Sequence, residues 1–166
     1  MRNSIRFAAM GAALATAVSF GSAANAAATA SATATAEILS TLTVTNTRGL
    51  DFGQVAVNGA GTLRVAGDGS ITCSANLVCT GTRQTAAFNV TGTSGVAYSA
   101  VVTTASVPLS SGANTMTLNN FSVYFPDGTT LVAGASSFNV GGTLNVGASQ
   151  AAGLYSGNFT VSVEYQ

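Results

Sequence analysis

The last fourteen residues read Gly153-Leu-Tyr-Ser-Gly-Asn-Phe-Thr-Val-Ser-Val-Glu-Tyr-Gln166. From Asn158 they alternate strictly, with Phe159, Val161, Val163 and Tyr165 on one side and Thr160, Ser162 and Glu164 on the other. Period-two alternation of aromatic and β-branched residues is the pattern of a half-buried strand. With one charged side chain and no proline, such a strand has little to keep another chain from pairing with its edge. Either the fold covers that edge or a partner does.

A second alternation lies at the other end. Ala28, Ala30, Ala32, Ala34, Ala36, Ile38, Leu42 and Val44 share one parity, and Thr and Ser, with Glu37 and Leu39, fill most of the other. Up to Ala36 the apolar knobs are single methyls, each worth about 0.8 kcal/mol at most when buried. From Ile38 they are large enough to hold a strand in a core. Two readings fit: a loose tail followed by the first strand, or a strand along the whole stretch.

Between these ends the chain reads as short strands and turns. Leu50, Phe52, Val55 and Val57 change parity across Gly53, which predicts a bulge. Leu63 and Val65 make a short strand between glycine-rich turns. Residues 85–91 and 96–103 alternate on either side of Gly92-Thr-Ser-Gly95, which predicts a hairpin. Residues 108–112 read as a loop. Met116, Leu118, Phe121, Val123 and Phe125 form a long strand whose parity switches at Asn119-Asn120, and Pro126-Asp127-Gly128 is a turn. Leu131 and Val132 are a short piece, and Phe138, Val140, Leu144 and Val146 continue one parity through Gly141-Gly142. About nine strands with no helical period predict an all-β, immunoglobulin-like or pilin-like β-sandwich.

The chain is expected to begin with a secretory signal peptide. Arg2 and Arg6 precede an alanine-rich apolar run, and Ala24-Asn25-Ala26 resembles a cleavage site. The expected organisation is residues 1–26 as leader, 27–36 as an Ala/Thr-rich extension and 37–166 as the sandwich domain. After the leader three arginines face five carboxylates, a net charge of −2, and there is no lysine. That balance argues against nucleic-acid binding. No later apolar run is long enough to span a bilayer.

Cys73 and Cys79 are the two cysteines. An even count in an exported chain predicts one disulfide between them, across a hairpin mouth or a loop. Two sulfurs without any histidine fall short of a zinc site. General acid–base chemistry is poorly served too, since histidine and lysine are absent. Asp68 and Asp127 each precede a turn glycine, where aspartate serves the backbone, and a calcium site there would lack ligands. Neither catalytic residues, metal nor cofactor are expected.

Two resemblances follow from these residues. Gly153 stands fourteenth from the end, Tyr165 is penultimate, and Phe159, Val161 and Val163 alternate between them. This resembles the C-terminal strand of chaperone–usher pilins, the fimbrial subunits. Leu50-Asp-Phe-Gly53, Ala87-Phe-Asn-Val-Thr-Gly92, Phe138-Asn-Val-Gly-Gly-Thr-Leu144 and Gly153-Leu-Tyr-Ser-Gly-Asn-Phe159 resemble domain-of-unknown-function family 4402 of exported bacterial proteins. The pilin resemblance implies a sandwich short of one strand, first lent by a periplasmic chaperone and then supplied by another subunit's N-terminal extension. It implies a partner-binding strand edge at Gly153, Phe159, Val161, Val163 and Tyr165. The candidate donor strand is Ala30, Ala32, Ala34, Ala36, Ile38, Leu42 and Val44. The Cys73–Cys79 spacing is shorter than that of pilin disulfides, which join distant strands.

The leading expectation is a non-enzymatic, exported structural subunit that self-associates into fibres, passing through the periplasm to the cell surface. The alternative is a self-complete secreted binding or adhesin module, in which residues 36–46 pair in cis with the final strand.

Overall fold

The computed structural model describes residues 27–166, and the expected leader lies outside the described residues. The chain divides after Ala36 into two units, and each stands by itself below. In the first, residues 27–36 are all exposed and belong to no strand. The second, Glu37–Gln166, is all-β. Its strands are β1 (Thr43–Arg48), β2 (Gln54–Val57), β3 (Gly61–Val65), β4 (Ile71–Cys73), β5 (Leu77–Thr80), β6 (Ala86–Thr91), β7 (Tyr98–Val102), β8 (Ser106–Ser111), β9 (Asn114–Tyr124), β10 (Ala135–Val146) and β11 (Val161–Tyr165). Among the described residues, no helix is long and apolar enough to cross a membrane.

β10 is the spine, because its alternation places Phe138, Val140, Leu144 and Val146 inward, all buried. Its first half pairs with β6 and its second half with β3, while its other edge carries β9. Val140 thus sits between Ala86 and Val123, and Leu144 between Leu63 and Leu118. β1 extends this sheet beyond β6, β4 beyond β3, and β8 beyond β9. Two antiparallel ribbons, β7 with β11 and β2 with β5, are hydrogen-bonded separately. They pack over the inward face, giving a sandwich.

The interior has two lobes. One gathers Leu63, Val65, Leu77, Leu109, Leu118 and Val146 with Val55 and Val57 of β2. The other gathers Phe88, Val90, Tyr98, Phe138 and Val140 with Leu42, just before the first strand, Val44 within it, and Val161, Val163 and Tyr165 of the last. The Phe88 and Phe138 rings stack, with centroids 5.0 Å apart. Phe159 packs against both lobes.

Several sequence expectations are corrected. The described residues form eleven strands, where about nine are expected. Residues 108–111 lie in β8 and not in a loop; its one ladder is with β9, and an edge strand tolerates the missing N–H of Pro108. β6 and β7 form no hairpin. The turn between them is occupied elsewhere, Gly92 N–H bonding to Gly134 O at 3.0 Å and Gly95 N–H to Leu131 O at 2.9 Å, so the chain crosses from one sheet to the other. The final strand is shorter than its alternation, with ladder pairing only from Val161 to Tyr165.

Both parity switches are present. At Gly53 the pairing partner changes from Gln84, opposite Asp51, to Thr80, opposite Gln54. Gly53 has φ +70°, and a Cβ there would lie 2.5 Å from the Thr80 carbonyl oxygen, so the bend requires glycine. Asn120 is left-handed at φ 48°, and the β9–β10 register shifts opposite it, between Gly141 and Thr143.

Candidate functional site

A cleft of about 950 Å³ opens into the interior of the domain. Its floor is core: Ala86, Phe88, Leu109, Leu118, Leu144 and Val146 all line it. One wall is formed by residues 49–53 with β2, and the other by residues 150–159. An apolar interior reachable from outside is unusual for a finished sandwich, whose two inner faces interdigitate.

Both walls are backbone edges. Among the described residues, β2 has a ladder only with β5. The cross-strand pairing of residues 150–159 is a single bridge, Ser110 with Ser156, at 2.8 and 3.1 Å. The first wall bends inward so that Phe52 is buried, while Leu50, Val55 and Val57 stay half-exposed. Asp51 Oδ1 accepts the Gly53 N–H at 2.8 Å and steadies the bend. The second wall keeps its shape through side chains. Gln150 Nε2 donates to Tyr155 Oη at 2.7 Å and to Thr115 O at 3.2 Å, and Tyr155 Oη donates to Ala151 O at 2.8 Å. Phe159 closes this wall against Phe121, with centroids 5.2 Å apart. The arrangement offers apolar burial and unpaired main-chain groups, which suits an extended peptide.

The disulfide connects Cys73 and Cys79, with Cα atoms 6.4 Å apart. Cys73 is in β4 of the large sheet and Cys79 in β5, the partner of β2. The bridge therefore ties one wall of the cleft to the main sheet.

The expected strand-edge residues fall in two groups. Gly153 and Phe159 line the cleft. At Gly153 this wall lies close to β8, where an added Cβ would come within 3.3 Å of Ser111 Cβ and displace the Ser111 hydroxyl. Val161, Val163 and Tyr165 lie beyond the cleft in β11, paired with β7 and half-buried in the second lobe. Burial pushes the Tyr165 phenol up, but its hydrogen bonds with Thr93 and Ser40 together outweigh it and leave the phenol below the usual tyrosine range.

The expected donor residues divide as well. Leu42 and Val44 pack into the second lobe, and Val44 pairs with Val90. Ala30, Ala32, Ala34 and Ala36 are exposed, and Ile38 is 91% exposed. Sequence reasoning missed residues 49–57 and Tyr155 as cleft walls. Their alternation resembles that of any strand, and only the missing neighbour marks them.

No curated protein and no solved structure matches the chain. The family model described as Domain of unknown function (DUF4402) matches residues 42–165, nearly the whole second unit. That match ends at the half-buried Tyr165 and starts at Leu42, the first residue packed into the domain, and the chain belongs to this family.

Proposed function

We propose that this protein is a non-catalytic, exported structural subunit, pilin-like in its assembly, whose cleft accepts a β-strand from another copy. The observation that carries the reading is the cleft itself, with a core floor and two walls that, among the described residues, lack ladder partners on the cleft side. A strand laid between the walls would pair with main-chain groups and cover the floor with alternate side chains. The donor is residues 28–38 of a second copy, exposed throughout and alternating Ala with Thr or Ser before ending in Ile38. At about 3.3 Å per residue this segment spans roughly 35 Å, enough to cover a ten-residue wall. Leu42, just before β1, and Val44 within it pack into the second lobe of their own domain, which assigns them to the acceptor in this reading and leaves residues 28–38 as the donor. Donation from one copy into the next is head-to-tail, and such contacts make open filaments. Before assembly a periplasmic chaperone would fill the same cleft. The resemblance of the C-terminal strand to pilins and the disulfide, which suits an oxidising compartment, support the reading.

The test is the size distribution of purified protein beginning at residue 27, with and without residues 27–36. The expected result is a ladder of higher species that depends on the extension. A stable monomer in both cases overturns the reading and leaves the self-complete module.

A further inference from the structure

Three segments meet at one phenol. Tyr165 Oη accepts the Thr93 N–H at 2.7 Å and donates to the Ser40 carbonyl oxygen at 2.9 Å. Ser40 in turn donates its N–H to Thr93 Oγ1 at 2.7 Å, and the two hydroxyls are 2.9 Å apart. The knot joins the end of β11, the turn after β6 and the residue three before β1. Gly92 makes room for it, since a Cβ there would overlap Tyr165 Oη and lie 2.9 Å from Leu42 Cδ1.

The surroundings change sharply across Ser40. Before it, Ile38 is 91% exposed and Leu39 38% exposed. After it, Leu42 and Val44 pack into the core, and Thr43 bonds to Thr91 through their hydroxyls at 2.8 Å. Among the described residues, β1 is an edge strand held by one neighbour, β6. Without an anchor ahead of it, a strand paired on one side frays from its free end.

We propose that Tyr165 is a positioning residue that sets the boundary between donor and acceptor. By holding Ser40 on the domain, it keeps β1 in its own sheet and leaves residues up to Leu39 free to enter another copy. This rests on the strand-donation reading for the use of the freed segment. In an assembled chain any pull on the donated strand reaches the domain at Ser40. The knot passes that load to β11 and the β6–β7 turn, so that it does not peel β1 from β6.

The test is residue-resolved amide exchange and limited proteolysis on the protein from residue 27, comparing wild type with Tyr165→Phe, which keeps the ring and removes both hydrogen bonds. Exchange at Ser40 and Thr93 should rise roughly tenfold, the scale set by losing one to two hydrogen bonds. Exchange at Val140 and Leu63 should rise by no more than the fall in global stability, measured by urea unfolding, accounts for. The first protease-resistant residue should move from Ser40 to Thr43. Thr93→Val, which removes the Oγ1 that accepts the Ser40 N–H and leaves the Tyr165 bonds, should raise exchange at Ser40 and move the protease boundary the same way, and the double variant should add little to that boundary shift, because both changes loosen one knot. If Tyr165→Phe does not fold, Thr93→Val carries the comparison. Unchanged exchange at Ser40 and Thr93, or a protease boundary that stays at Ser40, overturns the proposal. Strand donation is read separately, by adding a synthetic peptide of residues 28–38 to protein lacking 27–36. Slower exchange at residues 54–57 and 153–159 supports donation, and no slowing overturns donation while leaving the knot intact.

Discussion

Replacing Phe159 with alanine removes the one side chain of the final segment that touches both lobes of the interior. A fully buried Phe→Ala change costs about 3–5 kcal/mol. Phe159 is half-buried, since one side looks into the cleft, so about half of that applies. Its ring also meets Phe121 at 5.2 Å and Phe88 at 6.3 Å. Each aromatic pair contributes about 0.5–1.5 kcal/mol beyond area. The expected destabilisation is therefore about 2.5–5.5 kcal/mol. The assay is urea unfolding at concentrations low enough to avoid assembly, read as a fall in the midpoint with an unchanged slope. Thr160→Ala is the control: the neighbouring side chain is exposed, and the change should stay within about 0.5 kcal/mol. If Phe159→Ala behaves like Thr160→Ala, the segment before β11 is not part of the core and the description of the cleft wall is wrong.

Changing Cys73 and Cys79 together to serine should cost about 2–2.5 kcal/mol by the chain-entropy argument for so short a loop. Faster amide exchange should concentrate at residues 54–57 and 77–80, the ribbon that the bridge tethers. Tyr98 is fully buried, and burial raises its phenol above the usual tyrosine value, so the folded state holds the proton more tightly than the unfolded chain. Its contribution to stability is present below about pH 10 and is lost as pH rises through the folded value. Denaturation midpoints at pH 9–11 should fall for wild type and vary less for Tyr98→Phe, which also loses bonds to Ser136 Oγ and Ser137 O, worth about 1 kcal/mol at neutral pH. Ile38→Asp should leave the unfolding midpoint of the monomer unchanged while Val44→Asp, which places a charge in the second lobe, should cost several kcal/mol; equal effects would contradict the boundary at Ser40.

Much of this was legible in the chain. Alternation at Phe138, Val140, Leu144 and Val146 specifies an inward face because successive side chains in a strand point to opposite sides. The parity switch at Gly53 announced a bend because only glycine takes that backbone conformation cheaply. Two cysteines six positions apart were within reach of one another whatever the rest of the fold. What periodicity does not carry is which strand lies beside which. Residues 85–103 look like a hairpin, yet the turn between them bonds to residues 131–134, and that choice depends on a segment forty positions away. Pro108 reads as a loop until β9 is seen to pair with it on one edge only. The cleft was invisible for the same reason: Leu50, Val55 and Val57 have the pattern of covered strand residues, and a local pattern records what a side chain is suited to, not whether a neighbour covers it. Only the assembled sheets, which bring Ser40 to Tyr165 and leave residues 49–57 and 150–159 without a strand between them, decide where this chain is closed and where it is open.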